Sequence, residues 1–90
     1  MFVKIIVDTC YVGTESTLYV KVDDDSTEDY LNEIADDFAY DNYSLYDFEE
    51  RDREACEEND MEYISDEYYS YSITKLDELP EGVELNEDLT

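Results

Sequence analysis

The apolar residues change period part-way along this 90-residue chain, and that change dictates the fold class. Val3, Ile5 and Val7 point one way from residues 2–8, with Lys4 and Asp8 on the other side beside Phe2 and Ile6. This is the period of two that marks a strand with one buried face. Leu18, Val20 and Val22 repeat the pattern over residues 17–23, with Tyr19, Lys21 and Asp23 outward. A loop containing Gly13 joins the two runs, so they read as a β-hairpin. After Asp23-Asp24-Asp25, the apolar spacing becomes Leu31, Ile34, Ala35 and Phe38, which is i, i+3, i+4, i+7. That spacing predicts a helix over roughly 27–40. Ser26 followed by Asp29 is a start of capping-box type, with Asp replacing the usual Glu or Gln. Glu28 and Asp29 suit the positive end of the helix dipole.

The second half is less patterned. Residues 43–48 fit either a short strand or a loop entering a second helix. Residues 49–60 have helix-forming composition but few apolar anchors, and read as a solvated helix reaching toward Ile64. Tyr69, Tyr71 and Ile73 alternate with Ser70, Ser72 and Thr74, which predicts a third strand over 68–76. Beyond Pro80 no period remains, so 80–90 reads as an acidic, loosely ordered C-terminal tail on a single domain, 1–79. The order β-β-α-(α)-β predicts an α+β fold: a small antiparallel sheet of a hairpin plus a third strand, packed on one or two acidic helices.

Charge restricts function more than fold. The chain has 28 Asp and Glu against 5 Lys and Arg, a net charge of −23, with no histidine. High charge with a mean hydropathy of −0.67 is the composition of a chain that fails to collapse. Against this, 42% of residues are apolar and they are placed periodically. Direct nucleic-acid binding is excluded, because that affinity rests on cations displacing counterions from phosphates. Anionic membrane surfaces are disfavoured for the same reason, and the expected partner is a basic protein. The absence of histidine removes Ser-His and Cys-His couples and imidazole ligands. Cys10 and Cys56 lack CxxC spacing and read as reduced thiols, consistent with a cytoplasmic protein. The N-terminal apolar run is too short for a signal-peptide core, and no stretch has transmembrane length.

No catalytic constellation stands out. Carboxylate pairs are inevitable at this density, and a chain this small offers little room for the cleft that acid–base chemistry needs. Counted from Asp23, an EF-hand loop would carry Gly at the sixth place and Glu at the twelfth, where this chain has Glu28 and Ile34. No enzyme activity, metal site or cofactor is therefore expected. What remains is the acidic surface. Asp29, Glu33, Asp36 and Asp37 fall opposite the apolar stripe of the first helix, with Tyr40 on the same side and Asp41 beyond it. These are the first-choice partner contacts. Glu49, Glu50, Asp52, Glu54, Glu57 and Glu58 form a second group. Carboxylates at i, i+3 and i+4 stand ~5–6 Å apart, near enough to the ~3.4 Å phosphate rise of one DNA strand for neighbouring rows to imitate it. Tyr40, Tyr43, Tyr46, Tyr63 and Tyr68 lie among acids and would stack on partner guanidinium groups. Tyr-rich edge strands would also allow a homodimer.

The run Val7-Asp8-Thr9-Cys10-Tyr11-Val12-Gly13, then Asp23-Asp24-Asp25 and the helix with Glu28, Leu31, Ile34, Ala35 and Phe38, resembles a group of small uncharacterised bacteriophage proteins. Cys10 stands where that group usually has Gly. The resemblance covers about residues 2–48 and implies phage origin, hence action in the host cytoplasm. In charge and size the chain is also similar to phage inhibitors of host defence, including anti-CRISPR and anti-restriction DNA mimics. The expected function is thus an inhibitor that mimics nucleic acid and occupies the DNA/RNA channel of a host defence protein. An acidic adaptor that leaves DNA binding intact, or a halophile-adapted domain, are the alternatives.

Overall fold

A computed structural model describes residues 1–46, 48–64 and 68–90. The expected order appears, with one addition at its end: β1 (Phe2–Thr9), β2 (Ser16–Lys21), α1 (Glu28–Ser44), α2 (Phe48–Glu58), β3 (Tyr69–Leu76) and β4 (Glu87–Asp88). The strands form one sheet in the order β3-β1-β2-β4. β1 lies between β2 and β3 and is antiparallel to both. Its alternation sets the core, because Val3, Ile5, Val7 and Thr9 are all buried. Directly opposite on the same face stand Val20 and Leu18 from β2 and Ile73, Tyr71 and Tyr69 from β3.

α1 lies across this face and buries Leu31, Ala35 and Ala39, which pack with the β1 and β2 valines. The two alanines let the helix approach the sheet closely. The helix begins at Thr27, not Ser26: Thr27 has extended backbone, and its hydroxyl accepts from the Tyr30 amide at 3.1 Å. It also runs one turn further than its apolar stripe indicated, ending at Ser44, because Asn42 and Tyr43 are buried through their own contacts. Tyr43 and Ser44 are therefore helical, and Leu45 and Tyr46 turn toward α2; Asp47, within the same ambiguous stretch, is outside the described residues.

α2 stops at Glu58 rather than running toward Ile64. Asp60 adopts φ 56°, the Met61 amide bonds back to the Cys56 carbonyl at 2.8 Å, and the Asp60 amide bonds to Glu57 at 3.2 Å. This pair of bonds is the Schellman closure, with Asp where glycine is usual.

The chain end also differs from the expected tail. β4 pairs in parallel with β2, Glu87 against Val20 and Asp88 against Lys21, which makes the sheet mixed. The Tyr19 amide donates to Asn86 Oδ1 at 2.7 Å, the Leu89 amide donates to the Lys21 carbonyl at 2.8 Å, and Leu89 packs on the core. A two-residue strand held by side-chain anchors carries no periodic signature. The molecule is a slab with Cα extents of 47 × 27 × 16 Å and a radius of gyration of 15.2 Å. A compact chain of this length would have a radius near 12 Å. Among the described residues, no helix is long and apolar enough to cross a membrane.

Candidate partner-binding surface

The acidic surface is organised by a buried polar knot beneath it. The β1–β2 loop folds on its threonines: the Thr9 and Thr14 hydroxyls meet at 2.6 Å, and Thr9 Oγ1 accepts from the Tyr11 amide at 3.0 Å. Gly13 at φ 83° supplies the left-handed turn. Asn42 of α1 donates to the Thr14 carbonyl at 2.9 Å and fastens the loop to the helix. Tyr11 is thereby aimed at α2, where its hydroxyl donates to Asp52 Oδ1 at 2.5 Å. Tyr43, fully buried at the end of α1, donates to Asp52 Oδ2 and lies 3.3 Å from the Tyr63 hydroxyl. The Asp52 hydrogen bond pushes the Tyr11 phenol up to about 12, and burial together with Asp52 pushes Tyr43 up further. Rings close the knot. Tyr11 packs on Phe48 with centroids 4.0 Å apart, and Tyr63 stacks on Tyr68 at 5.5 Å.

This knot corrects two expectations. Asp52 is 5% exposed and is not available to a partner. Tyr43 is likewise internal, so it cannot stack on an outside guanidinium; Tyr63 and Tyr68 are half-buried, and Tyr40 and Tyr46 remain exposed. The row Phe48, Asp52, Cys56 at i, i+4, i+8 is the inward side of α2. That spacing was the available signal, obscured because its middle member is charged.

The remaining acids divide by helix. Asp29, Glu33, Asp36, Asp37 and Asp41 are all exposed on α1. Glu50, Glu54, Glu57 and Glu58 are exposed on α2. Glu49 is half-buried between the helices, accepting from the Tyr40 hydroxyl at 3.0 Å and pairing with Arg53 at 2.9 Å. It belongs to the scaffold as much as to the surface, and it ties α2 to Tyr40 of α1. The Arg53 guanidinium also lies 5.2 Å over the Tyr63 ring. Ser44, Glu49, Glu50 and Arg53 line a cleft where the helices meet. Among the described residues, no three Asp, Glu or Cys side chains converge tightly enough to hold a metal ion.

No family profile matches the chain, and comparison with curated proteins and with solved structures returned no significant similarity.

Proposed function

We propose that the protein is a phage-encoded acidic inhibitor that mimics nucleic acid and occupies the DNA- or RNA-binding channel of a basic host-defence protein, such as a CRISPR effector, in the host cytoplasm. It acts stoichiometrically and performs no chemistry. The observation that carries the reading is an outward face of unpaired carboxylates. Asp29, Glu33 and Asp36 on α1, with Glu50, Glu54 and Glu57 on α2, are exposed and make no ion pair within the described residues. Self-repulsion at this charge opposes the compact state. A surface kept in that condition is complementary to Lys and Arg rows that grip a phosphate backbone.

Shape supports the same reading. The acids of α1 from Asp29 to Asp41 span about 18 Å at ~1.5 Å per residue, the reach of about five base pairs at ~3.4 Å each. The helices are held at fixed spacing by the Tyr40–Glu49 bond and the Asp52 knot, so the charge pattern is preorganised. The test is a pull-down from bacterial lysate, with and without nuclease and with competing duplex DNA. A nucleic-acid-binding protein should be retained after nuclease and displaced by the duplex. Retention of a partner that still binds the duplex would overturn mimicry in favour of an adaptor, and recovery of no nucleic-acid-binding protein would reject it.

A further inference from the structure

A second feature of the acidic face is an open groove of about 340 Å³ between α1 and β4. Its floor is apolar: Ile34, Phe38 and Leu89, all half-buried and packed on the core. Its rim carries Asp37 and Asp41 from the helix, Glu87 from the strand, and the 41%-exposed Tyr30. Tyr30, Ile34, Asp37 and Asp41 follow at i, i+4, i+7 and i+11, so one helical row supplies most of the wall. Glu87 of β4 and Leu89 just beyond it alternate onto the same side. Asp37 and Asp41 are a like-charge i,i+4 pair, and neither they nor Glu87 nor the Tyr30 hydroxyl has a side-chain partner among the described residues.

The geometry points to an arginine side chain of a basic partner as the occupant of this groove. The floor suits an aliphatic stem, which prefers apolar surface while its head stays polar. The rim offers several carboxylates to a planar, many-donor guanidinium, and an aromatic ring beside them. A carboxylate and an aromatic ring already hold an arginine elsewhere in the molecule, where Arg53 pairs with Glu49 and lies over the Tyr63 ring. The α1–β4 groove has the same ingredients and no cation of its own within the described residues. A metal ion does not fit, because the three carboxylates rim the groove instead of converging. This deepens the mimic reading by naming a specific anchor, and it rests on that reading for its basic partner.

The test needs no partner. A short neutral-capped peptide with one central arginine is titrated into the protein, and the Ile34 and Leu89 methyl signals are followed by NMR, with the citrulline peptide as the uncharged equivalent. The arginine peptide should shift both methyls saturably, and the citrulline peptide should not. The double variant Asp37→Asn, Asp41→Asn should weaken binding about tenfold or more, while Glu78→Gln with Glu81→Gln, an equal loss of charge at exposed acids away from the groove and the helices, leaves it nearly unchanged. Equal weakening by both pairs, equal binding of citrulline, or shifts that never saturate would overturn the assignment. Saturable binding alongside a failed pull-down would leave the groove standing and remove only the mimicry.

Discussion

Tyr11, in the turn after the first strand, donates its hydroxyl to Asp52 of α2 at 2.5 Å across 41 residues of chain. Tyr43 meets the other oxygen of the same carboxylate. One buried acid therefore ties the hairpin loop, the end of α1 and the inner side of α2 together. Losing a hydrogen bond to a charged group costs about 1.5–3 kcal/mol, so Tyr43→Phe should destabilise by about that amount in urea unfolding. Asp52→Ala should cost at least as much, since it strips both phenols of their acceptor. An unchanged unfolding midpoint in both variants would show that the knot contributes nothing to stability.

The same knot sets the response to alkali. The Tyr11 phenol is raised from 10 to about 12, so the folded state holds its proton more tightly than the unfolded chain does. Its stabilising contribution is complete below pH 10 and is lost as pH rises through about 12. Phenolate absorbance in native protein should show a step near pH 12 from Tyr11, with Tyr43 also late. Tyr11→Phe should delete the step near 12.

Asp60 holds a left-handed φ of 56° at the carbonyl end of α2, whose last turn has no basic residue. Both the backbone geometry and the charge beside the negative end of the dipole are unfavourable there. Asp60→Gly should raise stability by about 1 kcal/mol, read as a higher thermal midpoint. A lower midpoint would mean that the Asp60 side chain is needed for the closure.

Charge repulsion predicts that the midpoint rises between low salt and 1 M salt, where the screening length falls to about 3 Å. The protein should nevertheless be folded at low ionic strength. Unfolding there would instead favour halophilic adaptation.

Glu33 and Asp36 project away from the sheet, so Glu33→Lys with Asp36→Lys should abolish capture of the basic partner while leaving the circular dichroism spectrum unchanged. Full capture by this variant would place the binding face elsewhere. Leu89→Ala probes the opposite end of the chain. As a half-buried side chain on the core, it should cost about 1–2 kcal/mol, which a disordered tail would not.

Sequence legibility followed periodicity. Alternation in β1 and the i, i+3, i+4 spacing of α1 are local signals that bury one face wherever the chain goes, so hairpin, helix and third strand were readable from residues alone. The outward acids of α1 followed from the same spacing. Asp52 is not legible as an internal residue, because a carboxylate at that spacing is ordinarily outside and its burial depends on two hydroxyls, one of them 41 residues away. β4 is not legible because two residues have no period, and it is held by the flanking Asn86 side chain and Leu89 amide, which bond to Tyr19 and Lys21 of β2.

Charge and period are properties of the chain, and they suffice for a cation-poor α+β domain with its acids outward. It takes the folded molecule to make Asp52 internal, to bridge the helices through Glu49, and to set Asp37, Asp41 and Glu87 around one apolar groove. Those facts depend on distances between segments far apart in the chain. Such distances are fixed by packing and hydrogen-bond closure, not by the identity of neighbouring residues.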